Sequence, residues 1–313
     1  MIVGRAFAVY FVSALMAALP VVGETRNAGI IQERRAAEAA PEEPEIGPPD
    51  GALIIVGGAM RDPAILARFI ELAGGADAPI VVVPTAGGER EYDQYWSGLA
   101  QFKAAGIKNL TLLHTKDRAE ANSEAFVEPI RKARGVFFTG GRQWHLADSY
   151  LNTLTHRELN ALLKRGGVVG GSSAGASIQG SFLVRGDTKG SETMIGDHVE
   201  GLGLLRNVAI DQHLLKRNRQ FDLLEVVERY PNLLGIGLDE DTAIVVRGDR
   251  FEVIGQSYVF IYDNQRRIPP YGTFYALAPG DQYNMKTRKA ERPSRTMNPL
   301  DRVVEQKWPP ARK

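Results

Sequence analysis

The sequence predicts an α/β fold, a three-layer sandwich in which a mainly parallel sheet is covered by helices on both faces. Short, continuously apolar runs alternate with longer segments of helical periodicity from residue 52 to residue 238. A strand that is apolar along its whole length is one buried on both faces, as strands in βαβ units are. Glycine-rich or small-residue segments also close several of these runs, at Gly57-Gly58, Pro84-Thr85, Gly140-Gly141 and residues 171–175. Ligands bind beyond the carboxyl ends of parallel strands.

The elements follow in order. Ala52–Val56 is the first strand, and Asp62-Pro63 then opens a helix with an N-cap and a proline at the first helical position. Strand Ile80–Val83 precedes a helix around 92–104, and strand 110–114 precedes a helix around 123–133. Strand 135–139 precedes helical stretches from about 144 to 164, and strand 168–170 follows. Residues 208–211 continue the pattern, then a helix from about 214 to 229 and strand Leu234–Leu238. Runs 244–246, 251–254 and 259–262 are short and turn-separated, which predicts a small antiparallel extension at the C-terminal end.

Domain limits follow from composition. Residues 1–23 hold one early charge, Arg5, then an apolar run with Val21 and Gly23 before Glu24, the pattern of a secretory signal peptide. The alternative is an uncleaved membrane anchor, which Pro20 and the shortness of the run disfavour. Residues 24–50 are rich in Ala, Glu and Pro without apolar periodicity and read as a disordered linker. The folded domain is expected over 51–285. Residues 286–313 form a tail with nine basic residues, three acids and four prolines, read as solvated. These readings place the protein in the periplasm or outside the cell.

The formal net charge of +1 offers no electrostatic reason for a nucleic-acid partner. With no cysteine, disulfides, thiolate metal sites and cysteine nucleophiles are excluded. A nucleophile on an elbow is therefore a hydroxyl and not a thiol, and a serine hydrolase of that kind requires no metal or organic cofactor.

Gly171-Ser172-Ser173-Ala174-Gly175 has the Gly-x-Ser-x-Gly layout of a nucleophile elbow, directly after a β-branched run and before a short helical segment. The glycines are expected to supply the turn's backbone angles, with Ser173 as nucleophile. Of five histidines, His213 is the best base, because it lies just past the apolar strand 208–211 and so on the same rim; His114 and His145 are weaker. The acid is sought in Asp239-Glu240-Asp241, past the next strand. The pattern favours Glu240, with Glu192 as the alternative. The amides of Gly140, Gly141 and Ala174 are candidates for the oxyanion site, and Gln143 for fixing a substrate carbonyl or carboxylate.

These motifs together resemble the cyanophycinase and aspartyl dipeptidase family of serine peptidases, whose flavodoxin-like fold is that of the class I glutamine amidotransferases. The resemblance spans about 51–285 and rests on Gly57-Gly58, residues 137–143, residues 171–176, Asp211-Gln212-His213 and residues 235–243. It implies a Ser173, His213 and Glu240 triad. It also implies a pocket of Gln143, Asp211, Gln212, Arg217 and Arg219 for a β-linked Asp-Arg unit. Paired guanidinium groups can clamp a carboxylate, and Asp or Gln can receive a cation. The chain departs from the family pattern at Arg142 and Asp222, both of which reverse a charge, and at Leu214. The implied partner is a peptide or isopeptide substrate of cyanophycin-like kind. A homodimer is left open, and a membrane enters only if the N-terminal segment is uncleaved. An esterase or amidase on the same fold, or an exported binding protein without catalysis, are the alternatives.

Overall fold

The computed structural model describes residues 45–265 and 272–292. The signal-peptide reading, most of the linker and the tail beyond 292 lie outside the described residues. In chain order the elements are β1 (Ala52–Val56), α1 (Pro63–Ala73), β2 (Ile80–Val83), α2 (Ala100–Ala104), β3 (Leu110–Leu112), α3 (Arg118–Ala121) and α4 (Glu124–Lys132). They continue with β4 (Gly135–Phe138), α5 (Gln143–Tyr150), α6 (Leu154–Lys164), β5 (Val168–Ser172), α7 (Ala174–Ser177), β6 (Gly180–Phe182) and β7 (Leu205–Gln212). The last are α8 (Asp222–Arg229), β8 (Leu234–Leu238), β9 (Thr242–Arg247), β10 (Arg250–Gly255), β11 (Val259–Asp263), β12 (Tyr275–Leu277), β13 (Gln282–Asn284) and β14 (Lys289–Glu291).

The α/β expectation holds, but the parallel strands are shared between two sheets. In the nine-stranded sheet, β1, β5, β4, β2 and β3 run parallel in that spatial order. Strands β9, β10, β13 and β14 extend it beyond β1, each antiparallel to its neighbour. The second sheet has five strands, with β6, β7 and β8 parallel and β11 and β12 antiparallel.

Alternation along β1 explains why both faces of the large sheet must be covered. Ala52, Ile54 and Val56 pack with Ile65 and Phe69 of α1 and Phe102 of α2. Leu53 and Ile55 point the other way, into a core shared with α4 to α7 and with Val208, Ile210, Ile236 and Ile261 of the second sheet. The outer face of that second sheet is closed by Leu223, Val226 and Val227 of α8.

Side-chain caps open three of the helices, α1, α3 and α4. The Asp62 side chain accepts a hydrogen bond from Ala64 N at the start of α1, and Ser123 caps α4 on Phe126 N. The helix expected from 214 begins only at 222, because His213 and Asn218 both have positive φ (54° and 55°), which an α-helix cannot contain. Asp239 Oδ1 accepts from Leu215 N and Lys216 N, both at 3.0 Å, and holds the intervening turns.

The folded part also runs past the expected limits. Ile46 is buried, and its amide donates to Asp249 Oδ1 at 2.7 Å while its carbonyl accepts from Arg206 N. At the other end β14 pairs with β13, so residues 289–291 form a strand, exposed along its length, beyond the expected limit at 285. Among the described residues no helix is long and apolar enough to cross a membrane.

Candidate active site

The site lies where the carboxyl ends of parallel strands from the two sheets converge. Ser173 follows β5 of the large sheet; His213 follows β7 of the second. Glu240 sits in the three-residue connection from β8 in one sheet to β9 in the other. The Gly57-Gly58 turn after β1 braces all three segments. Gly57 O accepts from His213 N at 2.8 Å and Gly58 O from Asp241 N at 2.9 Å, while Ser173 N donates to Val56 O at 3.0 Å.

Ser173 has φ 57° and ψ −114°, a combination rarely adopted by a residue with a side chain and costing on the order of 1–3 kcal/mol. The surrounding bonds hold it there: Ala176 N and Ser177 N both donate to its carbonyl. The glycines act differently from expectation. Neither Gly171 nor Gly175 has positive φ; the serine itself takes it. Gly175 is required by close approach, since a Cβ there would lie 2.3 Å from Phe138 O.

Ser173 Oγ is 2.9 Å from His213 Nε2, and His213 Nδ1 is 2.8 Å from Glu240 Oε1. A carboxylate can only accept, so Nδ1 carries the proton and Nε2 is left to accept from the serine hydroxyl. Burial holds the His213 pKa below the ordinary histidine value; the charges of Arg217 and Arg219 push the same way, against the Glu240 carboxylate.

The neighbouring acids are committed elsewhere. Asp239 Oδ2 accepts from Ser257 Oγ, and the Asp241 carboxylate binds Arg61. Glu192, the alternative acid, is exposed and accepts from Arg219 Nη2 at 3.1 Å. His114 is bound between Thr85 Oγ1 and Arg90 O, and His145 stacks edge-on to Trp144 with Nδ1 near Ala86 O.

Gly140 is placed against the serine: a Cβ on it would be 3.3 Å from Ser173 Cβ. Among the described residues no hydrogen bond takes up the amides of Gly140, Gly141 or Ala174. An anion beside Ser173 Oγ would meet unclaimed donors in this region.

The expected substrate residues divide. Arg217 is exposed beside the triad. Gln143, Asp211 and Arg219 are buried and engaged with the segment 184–192. Gln143 Nε2 donates to Val184 O at 2.8 Å. Arg219 binds Glu192 and, more loosely, the Gln212 side chain. Asp211 forms a two-bond pair with Arg185, a residue the sequence reading missed. Arg142 and Asp222 join in: Arg142 Nη2 donates to Asp187 O and Arg185 Nη2 to Asp222 Oδ2, each at 2.6 Å. Arg185 ends an apolar run and carries no pattern that marks it as buried; a guanidinium with no solvent exposure becomes visible only once its carboxylates are in place.

Among the described residues no group of three or more His, Cys, Asp or Glu side chains could hold a metal ion.

A sequence model of peptidase family S51 matches residues 53–254. A cyanophycinase of Geminocystis herdmanii is 33% identical over 261 residues, covering 76% of this chain and 95% of its own. A cyanophycinase of Synechococcus elongatus is 30% identical, covering 77% and 81%. A crystal structure of a peptidase from an acI-B1 actinobacterium superposes with a TM-score of 0.58 at 26% identity, covering 75% of this chain and 97% of that one. With this similarity added to the fold, the chain belongs to peptidase family S51 and is a serine-type peptidase.

Proposed function

We propose that the protein hydrolyses peptide or isopeptide bonds, at β-aspartyl linkages, through a Ser173, His213 and Glu240 triad and an acyl-enzyme. The observation that carries this is the continuous chain of hydrogen-bond distances from Ser173 Oγ through the imidazole to Glu240 Oε1. In this reading His213 Nε2 takes the hydroxyl proton as Ser173 Oγ attacks the carbonyl carbon. Glu240 stabilises the imidazolium, and the amides of Gly140, Gly141 and Ala174 receive the oxyanion. Collapse expels the amine with the proton from His213, and water then attacks the acyl-enzyme by the same route. The β-aspartyl substrate class is supported by the cyanophycinases among the relatives. Export to the periplasm or beyond is part of the proposal and rests on residues 1–23 alone.

An active-site-directed fluorophosphonate tests the chemistry directly. It is expected to label the wild type at Ser173 and to leave Ser173→Ala unlabelled; equal labelling of both proteins would reject Ser173 as nucleophile.

The depressed pKa of His213 sets the pH dependence. The base works only when neutral, so kcat/KM falls as pH drops through the folded-state pKa, and the acid limb is expected below the ordinary 6.5. Arg217→Gln removes one of the charges that depress it, so the limb should move up toward that value. A limb at or above 6.5 in the wild type contradicts this account of the site.

Gly58 offers a steric test. At its φ of 134°, a Cβ would lie 2.3 Å from His213 Cε1 and 2.5 Å from Nδ1. Gly58→Ala must displace the imidazole, and misplacement on this scale costs on the order of 10²-fold in kcat. Kinetics together with a circular dichroism melt would separate loss of alignment from loss of fold.

A further inference from the structure

Asp211 stands two residues before His213, at the end of β7, and its carboxylate is fully buried. Buried beside a catalytic base, such a carboxylate would recruit a cationic substrate group, a guanidinium most strongly because two parallel N–H donors match its two oxygens. The chain supplies that guanidinium itself. Arg185 Nε donates to Asp211 Oδ1 at 2.8 Å and Nη2 to Oδ2 at 2.9 Å. Oδ1 also accepts from Gln212 N at 2.9 Å. The same Nη2 reaches Asp222 Oδ2 at 2.6 Å, and Nη1 donates to Ser191 O at 3.0 Å. Arg185 has no exposed surface.

Two carboxylates thus close around one internal cation. A second guanidinium could enter only if Arg185 left, which would strand a buried charge whose separation from its partners is strongly unfavourable. Asp222, from the start of α8, forms the third side of this lock. Two exposed cations beside the triad, Arg217 near His213 and Arg61 at 3.5 Å from Glu240 Oε2, attract anions and repel a cationic side chain.

Resting on the peptidase reading above, we propose that Arg185 is a specificity-determining residue that keeps substrate cations off Asp211 and Asp222. The enzyme therefore cleaves β-aspartyl substrates bearing an uncharged side chain as readily as those bearing arginine.

Two independent measurements on the full chain decide this. The first is the wild-type kcat/KM ratio for β-Asp-Arg over β-Asp-citrulline, which replaces guanidinium by a neutral urea of the same shape. A ratio within threefold of one is expected; a tenfold or larger preference for arginine overturns the inference. The second is the melting temperature of Arg185→Ala with ethylguanidinium or ethylurea. The variant should melt about 10 °C below the wild type. Ethylguanidinium should restore several degrees and ethylurea none, with the wild type unmoved by either. No restoration by ethylguanidinium overturns the occupancy claim. If Arg185→Ala does not fold, the substrate ratio decides. If neither dipeptide is cleaved, or cleavage survives Ser173→Ala, the peptidase reading has failed and the thermal measurement decides for Arg185.

Discussion

Ser173→Ala is expected to lower kcat on a β-aspartyl peptide by on the order of 10⁶, as loss of the nucleophile does in serine peptidases generally. The fold should be untouched. Ser173 makes its side-chain hydrogen bond to His213 alone, and the strained backbone is held by bonds from Val56, Ala176 and Ser177 that alanine retains. The expected result is therefore a protein with a native melt and no acyl-enzyme. Residual catalysis of 10³–10⁴ over water would reflect the amides near Gly140 and Ala174, which do not depend on the hydroxyl. Wild-type kcat in the alanine variant would remove Ser173 from the mechanism altogether.

Glu240→Gln is expected to have the second-largest effect, a fall in kcat on the order of 10⁴. The carboxylate accepts from Nδ1–H and so leaves Nε2 free to take the serine proton. A glutamine can turn its amide to donate to Nδ1, which puts the proton on Nε2, and it offers no charge to the imidazolium. Glu192→Gln is the control. Glu192 touches Arg219 and not the imidazole, so its substitution should change kcat by no more than about threefold. If the two substitutions exchanged effects, the acid would have been misassigned. The measurement is kcat at saturating substrate for both variants against wild type.

How far the sequence reaches can be judged from particular residues. The parallel strands were legible because burial on both faces leaves an unbroken apolar run, as in Ala52–Val56 and Ile80–Val83, all buried. Ser173 was legible because tight packing around an elbow admits little beside glycine. The reason for those glycines was not: they permit contact with Gly175 O and Phe138 O, and the positive φ belongs to the serine. Periodicity also failed over 214–221. An amphipathic-looking stretch follows His213, yet Asp239, distant in sequence, holds the chain in turns there.

Arg185 marks the sharper limit. Its burial depends on Asp211 and Asp222, respectively 26 and 37 residues away, and no local pattern encodes a charge that is stable only when both partners surround it. The same holds for the distribution of parallel strands between two sheets. An apolar strand is specified to be buried, but which neighbour it pairs with is settled by long-range packing.

The sequence by itself determined the α/β class, the strand ends and the residue types of the candidate triad, because hydrophobic pattern and turn chemistry are local properties of the chain. The tertiary structure alone decided that two sheets converge on one rim. It also decided that Glu240 rather than Glu192 faces His213, and that Asp211 is already occupied by Arg185. Each of these rests on contacts between residues far apart in sequence, and a hydrogen bond is lost when its partners separate by less than an ångström beyond their usual distance.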